Sequence, residues 1–489
     1  EGTFEAVIPH LRRLKDLGIT CLEIMPIAQF PGERNWGYDG VFPFATQNSY
    51  GGPQGLKKLV NAAHEAGLAV CLDVVYNHLG PEGNYFGNFG PYFTTKYATP
   101  WGQAMNMDGS GSEQVRRYFI QNAVYWQTEC HIDALRLDAV HAILDTSAIT
   151  FLQELAQATH RQAERLNRRF YLIAESDLND PRLILPPIAG GFGLDAQWTD
   201  DFHHSLRVLL TGERTGYYND YGGTEMFARV LREGYAFINS YSASRKRRHG
   251  NSPRLAHAKQ FVVYSSNHDQ VGNRMAGDRL AATVSFEEAK LAACAVLLSP
   301  FVPMLFMGQE YGETAPFQYF TSHSDPALVE AVRKGRKAEF ADFHTSDEVP
   351  DPHDPATFER SKLNHKLREK GQHRALYELY RELLRLRRET SPLADVEKES
   401  MNVIELSAKN CVCLHYWTDQ EHLFVVLCFA KKPAKVEVPL PEGEWQRLLD
   451  SSEEKWAGPT KAAGEVVRSK GGVKLTLAPR SCSVLFRAR

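Results

Sequence analysis

The sequence predicts an α/β chain. Residues 1–390 read as a (β/α)8 TIM barrel whose first strand is missing from this chain, and residues 391–489 as an antiparallel β-sandwich domain. Three observations predict this. Seven short, nearly continuous apolar runs recur through the first part. Such runs mark strands buried on both faces, hence a parallel sheet with helical crossovers. Acidic residues collect at the C-terminal ends of these runs, the end at which barrels of this class carry their chemistry. After about residue 390 the texture changes to alternating apolar and polar residues between turn signals, the pattern of an antiparallel sheet. A doubly wound sheet is disfavoured, because no glycine-rich phosphate turn follows an early strand.

The expected strands lie at 19–27, 68–76, 132–140, 171–176, 193–200, 259–266 and 302–310. Helical segments precede several of them. Apolar residues recur at helical spacing over 4–18, with Gly18 placed as a helix stop, and 55–67 repeats the arrangement with Gly67. The apolar stretch 291–308 is nearly long enough to span a bilayer. Pro300 and Pro303 break it, so it reads as a buried helix, a turn and a buried strand. Residues 311–360 read as a long irregular connection. The chain opens at Glu1 without Met, and no signal peptide is visible.

Composition narrows the function classes. Lys plus Arg is 56 and Asp plus Glu is 59, giving a net charge of −3. That balance argues against a dedicated nucleic-acid binder and suits a neutral substrate. The basic run Arg245–His249 has no aromatic residues interleaved with it and reads as a solvated loop. Eight scattered cysteines contain no C-x-x-C and match no zinc or disulfide framework. Cys411 and Cys413 read as two thiols on one strand face rather than a ligand pair, and a reducing, cytoplasmic compartment is expected.

Four stretches carry the candidate chemistry: "DVVYNH" (73–78), "LRLDAVH" (135–141), "IAES" (173–176) and "NHDQVGN" (267–273). A single aspartate at a strand end is more often a cap or turn residue. Four acidic sites at one end of one barrel are another matter, because buried charges cost several kcal/mol each unless paired. Converging carboxylates without a metal cage suit glycoside hydrolysis, in which one carboxylate attacks the sugar carbon and a protonated second one serves the leaving oxygen. Arg136 and Asp138 are two residues apart on a strand and share a face. A cation there keeps Asp138 ionised, as a nucleophile requires. Glu175 follows the apolar "YLIA", an approach that desolvates it and raises its pKa, as a general acid requires.

Asp269, beside His268, is a third carboxylate able to grip sugar hydroxyls. His78 and His268 read as hydroxyl donors, with ordinary hydrogen-bonded core histidines as the alternative. Trp36 and Tyr38 in "NWGYDG" offer flat faces to sugar rings, with core packing an equal alternative for Trp36. "DDFHH" places Asp200, Asp201, His203 and His204 at one strand end, where they suit a polyhydroxylated ligand or a solvated loop.

These four motifs, in this order, resemble those of the alpha-amylase family of retaining glycoside hydrolases. The resemblance spans roughly residues 1–390, and the C-terminal β domain fits the same pattern. It implies Asp138 as nucleophile, Glu175 as proton donor and Asp269 as transition-state stabiliser. It implies that Arg136, Asp73, His78, His268 and Tyr38 line the subsite holding the reacting sugar. "WGYDGVFPFATQNSYGGPQGLKKLV", "AESDLNDPR", "DAQWTDDFHHSL" and "NHDQVGNR" look like the trehalose-releasing branch of that family. That likeness implies a maltooligosyltrehalose substrate, an α-1,4-glucan ending in trehalose, cleaved at the α-1,4 bond next to the trehalose unit. It further implies sugar contacts from Asp200, Asp201, His203, His204, Gln270 and Asn273, and His141 on the leaving-group side. The implied pathway partner is the enzyme that makes the terminal trehalose linkage.

Neither a cofactor nor a metal is expected, although some amylases bind calcium through an asparagine near "DVVYNH", and Asn77 is present. The family carries a small β-sandwich and a first barrel strand before the "GTF" turn, so a chain starting at "EGTFEAV" is expected to be a fragment. The alternative enzyme is a glucan branching enzyme or other α-glucan transglycosylase using the same three carboxylates. The alternative outside enzymes is an inactive glucan-binding barrel, whose sign would be the loss of one of the three.

Overall fold

The computed structural model describes residues 2–340, 349–462 and 464–488. The chain divides into two compact units, residues 1–198 with 318–360, and residues 199–317 with 361–489.

The first unit is built on five parallel strands in the order Cys21–Ile24, Ala69–Val74, Ala134–Leu137, Tyr171–Ala174 and Ala196–Trp198. Each falls inside an expected run and is shorter than it. The crossover helices follow from local signals. Helix Gly52–Glu65 buries Leu56, Leu59, Val60 and Ala63, one stripe at helical spacing. Helix Phe151–Leu166 starts at Thr150, whose hydroxyl accepts from the Gln153 amide at 3.3 Å, and stops at Asn167 in a left-handed conformation. The expected helix over 4–18 is divided into Phe4–Val7, the 3-10 turn Ile8–His10 and Leu11–Leu17, because Pro9 cannot donate in a helix interior. Gly18 then ends it with φ 116°.

Residues 311–360 are not the irregular connection that their composition suggests. Helix Pro326–Glu339 opens on Asp325, whose carboxylate accepts from the Ala327 and Leu328 amides. A second helix covers Pro355–Arg360. The Asp-Pro start was a legible N-cap and N1 pair. The part of that stretch at 341–348 lies outside the described residues.

The second unit holds two more parallel strands, Phe261–Val263 paired with Val302–Pro303. The seven parallel strands among the described residues are those of the (β/α) barrel class. "DDFHH" opens helix Asp200–Thr211 rather than ending a strand, and two aspartates in a first turn suit the positive end of the helix dipole. The apolar run after residue 285 forms helix Phe286–Leu297, capped by a reciprocal Ser285–Glu288 box. Among the described residues no helix is long and apolar enough to cross a membrane. The basic run at 245–249 belongs to a two-stranded hairpin, Ser240–Ser242 with Arg247–His249.

The same unit ends in an antiparallel sandwich. A six-stranded sheet, Met401–Leu406 through Ser481–Ala488, faces the pair Ala434–Val438 and Val473–Leu477. Cys411, Cys413, Phe424, Val426, Cys428, Trp445 and Leu485 from the larger sheet meet Val436, Val438 and Leu477 from the smaller in one buried core.

Candidate active site

Strand register assembles the site of the first unit. Asp73 on Ala69–Val74 lies opposite Arg136, and Leu137 lies opposite Ala174 on the next strand. Asp138 and Glu175, each one residue further on, therefore leave neighbouring strands at the same end. The backbone turns sharply after Asp138, since Ala139 has φ 40°.

Arg136 is the hub. Its side chain is fully buried. Nη1 donates to both oxygens of Asp73 and to Oδ1 of Asp138, each at 2.8 Å. Nη2 lies 3.6 Å from Oε2 of Glu175. The guanidinium carbon sits 4.4 Å from the centre of the Trp198 ring, a cation–π contact. Burial disfavours its charge, yet the surrounding Asp73, Tyr38, Asp138 and Glu175 outweigh it and hold its pKa well above the ordinary value. One cation thus serves three carboxylates.

Asp73 is wholly buried. Burial is the largest influence on its pKa and pushes it up to about 6, against the pull of Arg136. Its Oδ2 also accepts the Tyr38 hydroxyl at 2.6 Å. Tyr38 is aimed there by the turn before it. Gly37 has φ 102°, and a Cβ at that position would lie 2.0 Å from the Pro26 carbonyl oxygen.

Asn77 holds Asp138 from a third side. Its Nδ2 donates to Oδ2 of Asp138 at 2.7 Å and to its backbone carbonyl at 2.8 Å. Its Oδ1 meets Nδ1 of His78, whose Nε2 lies 2.9 Å from the Tyr38 carbonyl oxygen. Burial lowers the His78 pKa against the opposing effect of Asp138. The indole of Trp101 stacks on His78, with ring centres 4.8 Å apart and planes 5° from parallel, and stays about half exposed. Glu175 accepts the Ala139 amide at 2.6 Å. Its surroundings therefore include this donor and a nearby guanidinium as well as the apolar strand before it.

The first unit thus brings together Tyr38, Asp73, His78, Arg136, Asp138 and Glu175. It does not present Trp36. That ring is buried, its Nε1 donates to the Gln318 carbonyl at 3.1 Å, and Tyr319 packs against it edge-on. The core-packing alternative describes it, because a covered ring offers no face to a sugar. His141 is exposed on the short helix Val140–Ala142. Sequence reasoning missed Asn77 as a positioning group and Trp101 altogether. "DVVYNH" contained the first, and an isolated Trp between Pro100 and Gly102 was the only signal for the second.

In the second unit, Asp200 accepts from the Tyr264 hydroxyl and from Nε2 of Gln270, the latter at 3.2 Å. Asp201 is buried and accepts the Tyr221 hydroxyl at 2.5 Å and the Ala236 amide at 2.6 Å. His203 is buried between the Ser265 carbonyl and the Tyr218 hydroxyl, and burial holds its pKa well below normal. Asp201 and His203 thus tie elements of the unit together. His204 packs against Tyr217, Tyr218 and Tyr221. Asn267 caps the turn His268–Gly272. His268 Nε2 lies 3.3 Å from Oδ2 of Asp269, whose side chain is 42% exposed, and Asn273 donates to its Oδ1 at 3.3 Å.

Comparison with known proteins places this geometry. The family model for the alpha amylase catalytic domain matches residues 1–99. A malto-oligosyltrehalose trehalohydrolase of Saccharolobus solfataricus is 49% identical over 389 residues, 80% of this chain and 66% of that protein. One of Rhizobium sp. is 45% identical over 442 residues, 90% of this chain and 74% of that protein. A 1,4-alpha-glucan branching enzyme of Corynebacterium jeikeium is 26% identical over 63% of this chain and 43% of that enzyme. A crystal structure from Salmonella typhimurium assigned as an alpha amylase superposes with TM-score 0.87 at 38% identity, covering 99% of this chain and 79% of its own. The chain spans about two thirds to three quarters of the length of these trehalohydrolases.

Proposed function

Because the chain belongs to the malto-oligosyltrehalose trehalohydrolases of the alpha-amylase family, we propose that it is a retaining glycoside hydrolase. In this reading it cleaves the α-1,4 bond next to the terminal trehalose of maltooligosyltrehalose and releases trehalose. The observation that carries the reading is the single buried guanidinium shared by Asp73, Asp138 and Glu175. Retention needs two carboxylates close enough for one to reach the anomeric carbon directly while the other reaches the glycosidic oxygen.

Asp138 is the proposed nucleophile. Arg136 favours its ionised form, and Asn77 and Arg136 together fix both of its oxygens, so little reorganisation precedes attack. Glu175 is the proposed acid and then base. Its carboxyl is anchored through Oε2 by the Ala139 amide. In the first step it protonates the departing oxygen; in the second it takes a proton from the water that resolves the glycosyl-enzyme. Asp269, in "NHDQVGN", is proposed to hold sugar hydroxyls as the ring flattens, a role its partial exposure permits. Tyr38, Asp73, His78, Trp101 and His268 are proposed to shape the subsite of the reacting sugar. The substrate supplier in this reading is an enzyme that forms the terminal trehalose linkage, and the location is cytoplasmic, supported by eight cysteines none of which is paired.

Incubation with maltooligosyltrehalose tests the proposal. Free trehalose and a shorter maltooligosaccharide released as the α-anomer are expected. Glucan chains transferred to new branch points, with no trehalose, would overturn it in favour of the transglycosylase reading.

A further inference from the structure

His323 lies outside the constellation described above, yet it joins two of the loops that build it. Its side chain is 2% exposed and sits between two carboxylates. Nε2 stands 3.6 Å from Oδ2 of Asp39, and Nδ1 stands 3.3 Å from Oε2 of Glu82. Asp39 directly follows Tyr38, whose hydroxyl donates to Asp73 and whose carbonyl meets His78. Glu82 lies four residues beyond His78. The two loops also touch through their backbones. The Gly80 amide donates to the Gly40 carbonyl at 3.0 Å, and a Cβ on Gly80 would lie 2.0 Å from the Asp39 carbonyl oxygen. His323 fastens them a second time, and its neighbours hold it there. The Ser322 hydroxyl accepts the Glu33 and Arg34 amides at 3.0 and 3.1 Å, and the Ser324 amide donates to the Glu82 carboxylate at 3.0 Å.

An ionised carboxylate only accepts hydrogen bonds, and a neutral imidazole carries a single N–H. A neutral His323 therefore serves one of Asp39 and Glu82 and turns a lone pair to the other. The imidazolium serves both. The remaining titratable neighbour is His353, with ring centres 5.8 Å apart. Burial, then the charge of His323, lowers the His353 pKa, and Arg34, Arg333 and Asp351 also act on that ring. We propose that His323 is a positioning residue, whose imidazolium clasps the Tyr38 loop to the loop after His78 and keeps the subsite of the reacting sugar in shape. The inference rests on the reading that Tyr38 and His78 shape that subsite. The sign of its pH dependence follows from the donor count. With the ring protonated both loops are held. As pH rises the ring loses one N–H, one carboxylate loses its donor, and the loops loosen.

Hydrogen exchange of the whole chain, corrected for intrinsic rates, tests the clasp without substrate. The span is about pH 5 to 9, across which histidine side chains titrate in proteins. Protection of peptides covering 32–41 and 79–84 is expected to fall as pH rises in the parent chain and to stay low and level in His323→Gln. Glu82→Gln, which removes one of the two carboxylates, is expected to reduce the change and serves if His323→Gln fails to fold. With maltooligosyltrehalose, the KM of the parent is expected to rise by about fivefold or more over the same span, the scale of one charge-assisted hydrogen bond. That rise is expected to vanish in His323→Gln, whereas the pH dependence of kcat, set by Glu175, is expected to remain. Level protection in the parent, or the same fall in both variants, would overturn the proposal. pH-dependent protection without trehalose release would support the clasp and overturn the substrate reading instead.

Discussion

Asp138 and Arg136, two residues apart in the chain, meet in a 2.8 Å ion pair between Oδ1 and Nη1. The pair stands where the strand Ala134–Leu137 ends, and the guanidinium is completely buried. A carboxylate held this way is kept charged and kept still, which is what nucleophilic attack on a sugar requires.

Asp138→Asn keeps the shape of the side chain and removes its charge. Trehalose release is expected to fall by about 10³-fold or more. The far-ultraviolet spectrum and oligosaccharide binding are expected to persist. Turnover within tenfold of the parent, measured on the same substrate, would refute the nucleophile assignment.

Arg136→Met fills similar space without charge. It leaves Asp73 and Asp138 buried without their cation, and breaking such a pair from one side costs about 3–5 kcal/mol. A lower midpoint in urea is the expected readout. Unchanged stability would show that the guanidinium is not the hub described above.

Asn77→Ala removes the amide that donates to Oδ2 of Asp138 at 2.7 Å. As a positioning residue, Asn77 is expected to affect kcat by about 10–100-fold while KM moves little, because a misplaced nucleophile loses near-attack geometry rather than substrate. Asn77→Asp, which keeps the shape but not the donor, is expected not to rescue. An effect confined to KM would contradict the assignment.

Trp101→Ala removes a half-exposed indole stacked on His78. If that ring is a platform for the sugar, KM for maltooligosyltrehalose is expected to rise by about 5–50-fold, on the scale of one stacking contact. Trp101→Phe is expected to retain part of the affinity. Steady-state kinetics on the three proteins decide the matter.

His415 in the sandwich lies 3.1 Å from His422, Nε2 to Nδ1, and burial, then His422 and Arg487, push its pKa down to about 4. The unfolded chain binds a proton there near pH 6.5, and the folded chain does so only near 4. Between those values the unfolded state carries more protons at this site, so the contribution of His415 to stability rises with pH across the window and is lost as pH falls through it. His415→Phe is expected to flatten that part of the thermal midpoint–pH curve. An unchanged slope between pH 6.5 and 4 would show that His415 does not carry it.

The sequence by itself determined the strand positions, the barrel class, the change to an antiparallel sandwich and the carboxylates at the strand ends. All of these follow from local periodicity and from residue type at element boundaries, which a linear reading can see. Elements were misread where one local signal competed with another. Pro9 divided a helical pattern, Asp325–Pro326 started a helix inside a polar stretch, and "DDFHH" formed the first turn of a helix rather than the end of the preceding strand. Only the tertiary structure decided who shares Arg136, since Asp73 lies 63 residues before it in the chain. It alone buried Trp36 against Gln318, 282 residues away, and set Trp101 on His78. The physical reason is that burial and ion pairing belong to the packed chain. A residue type limits what a side chain can do, but which partners and how much water it meets are settled by segments far apart in sequence.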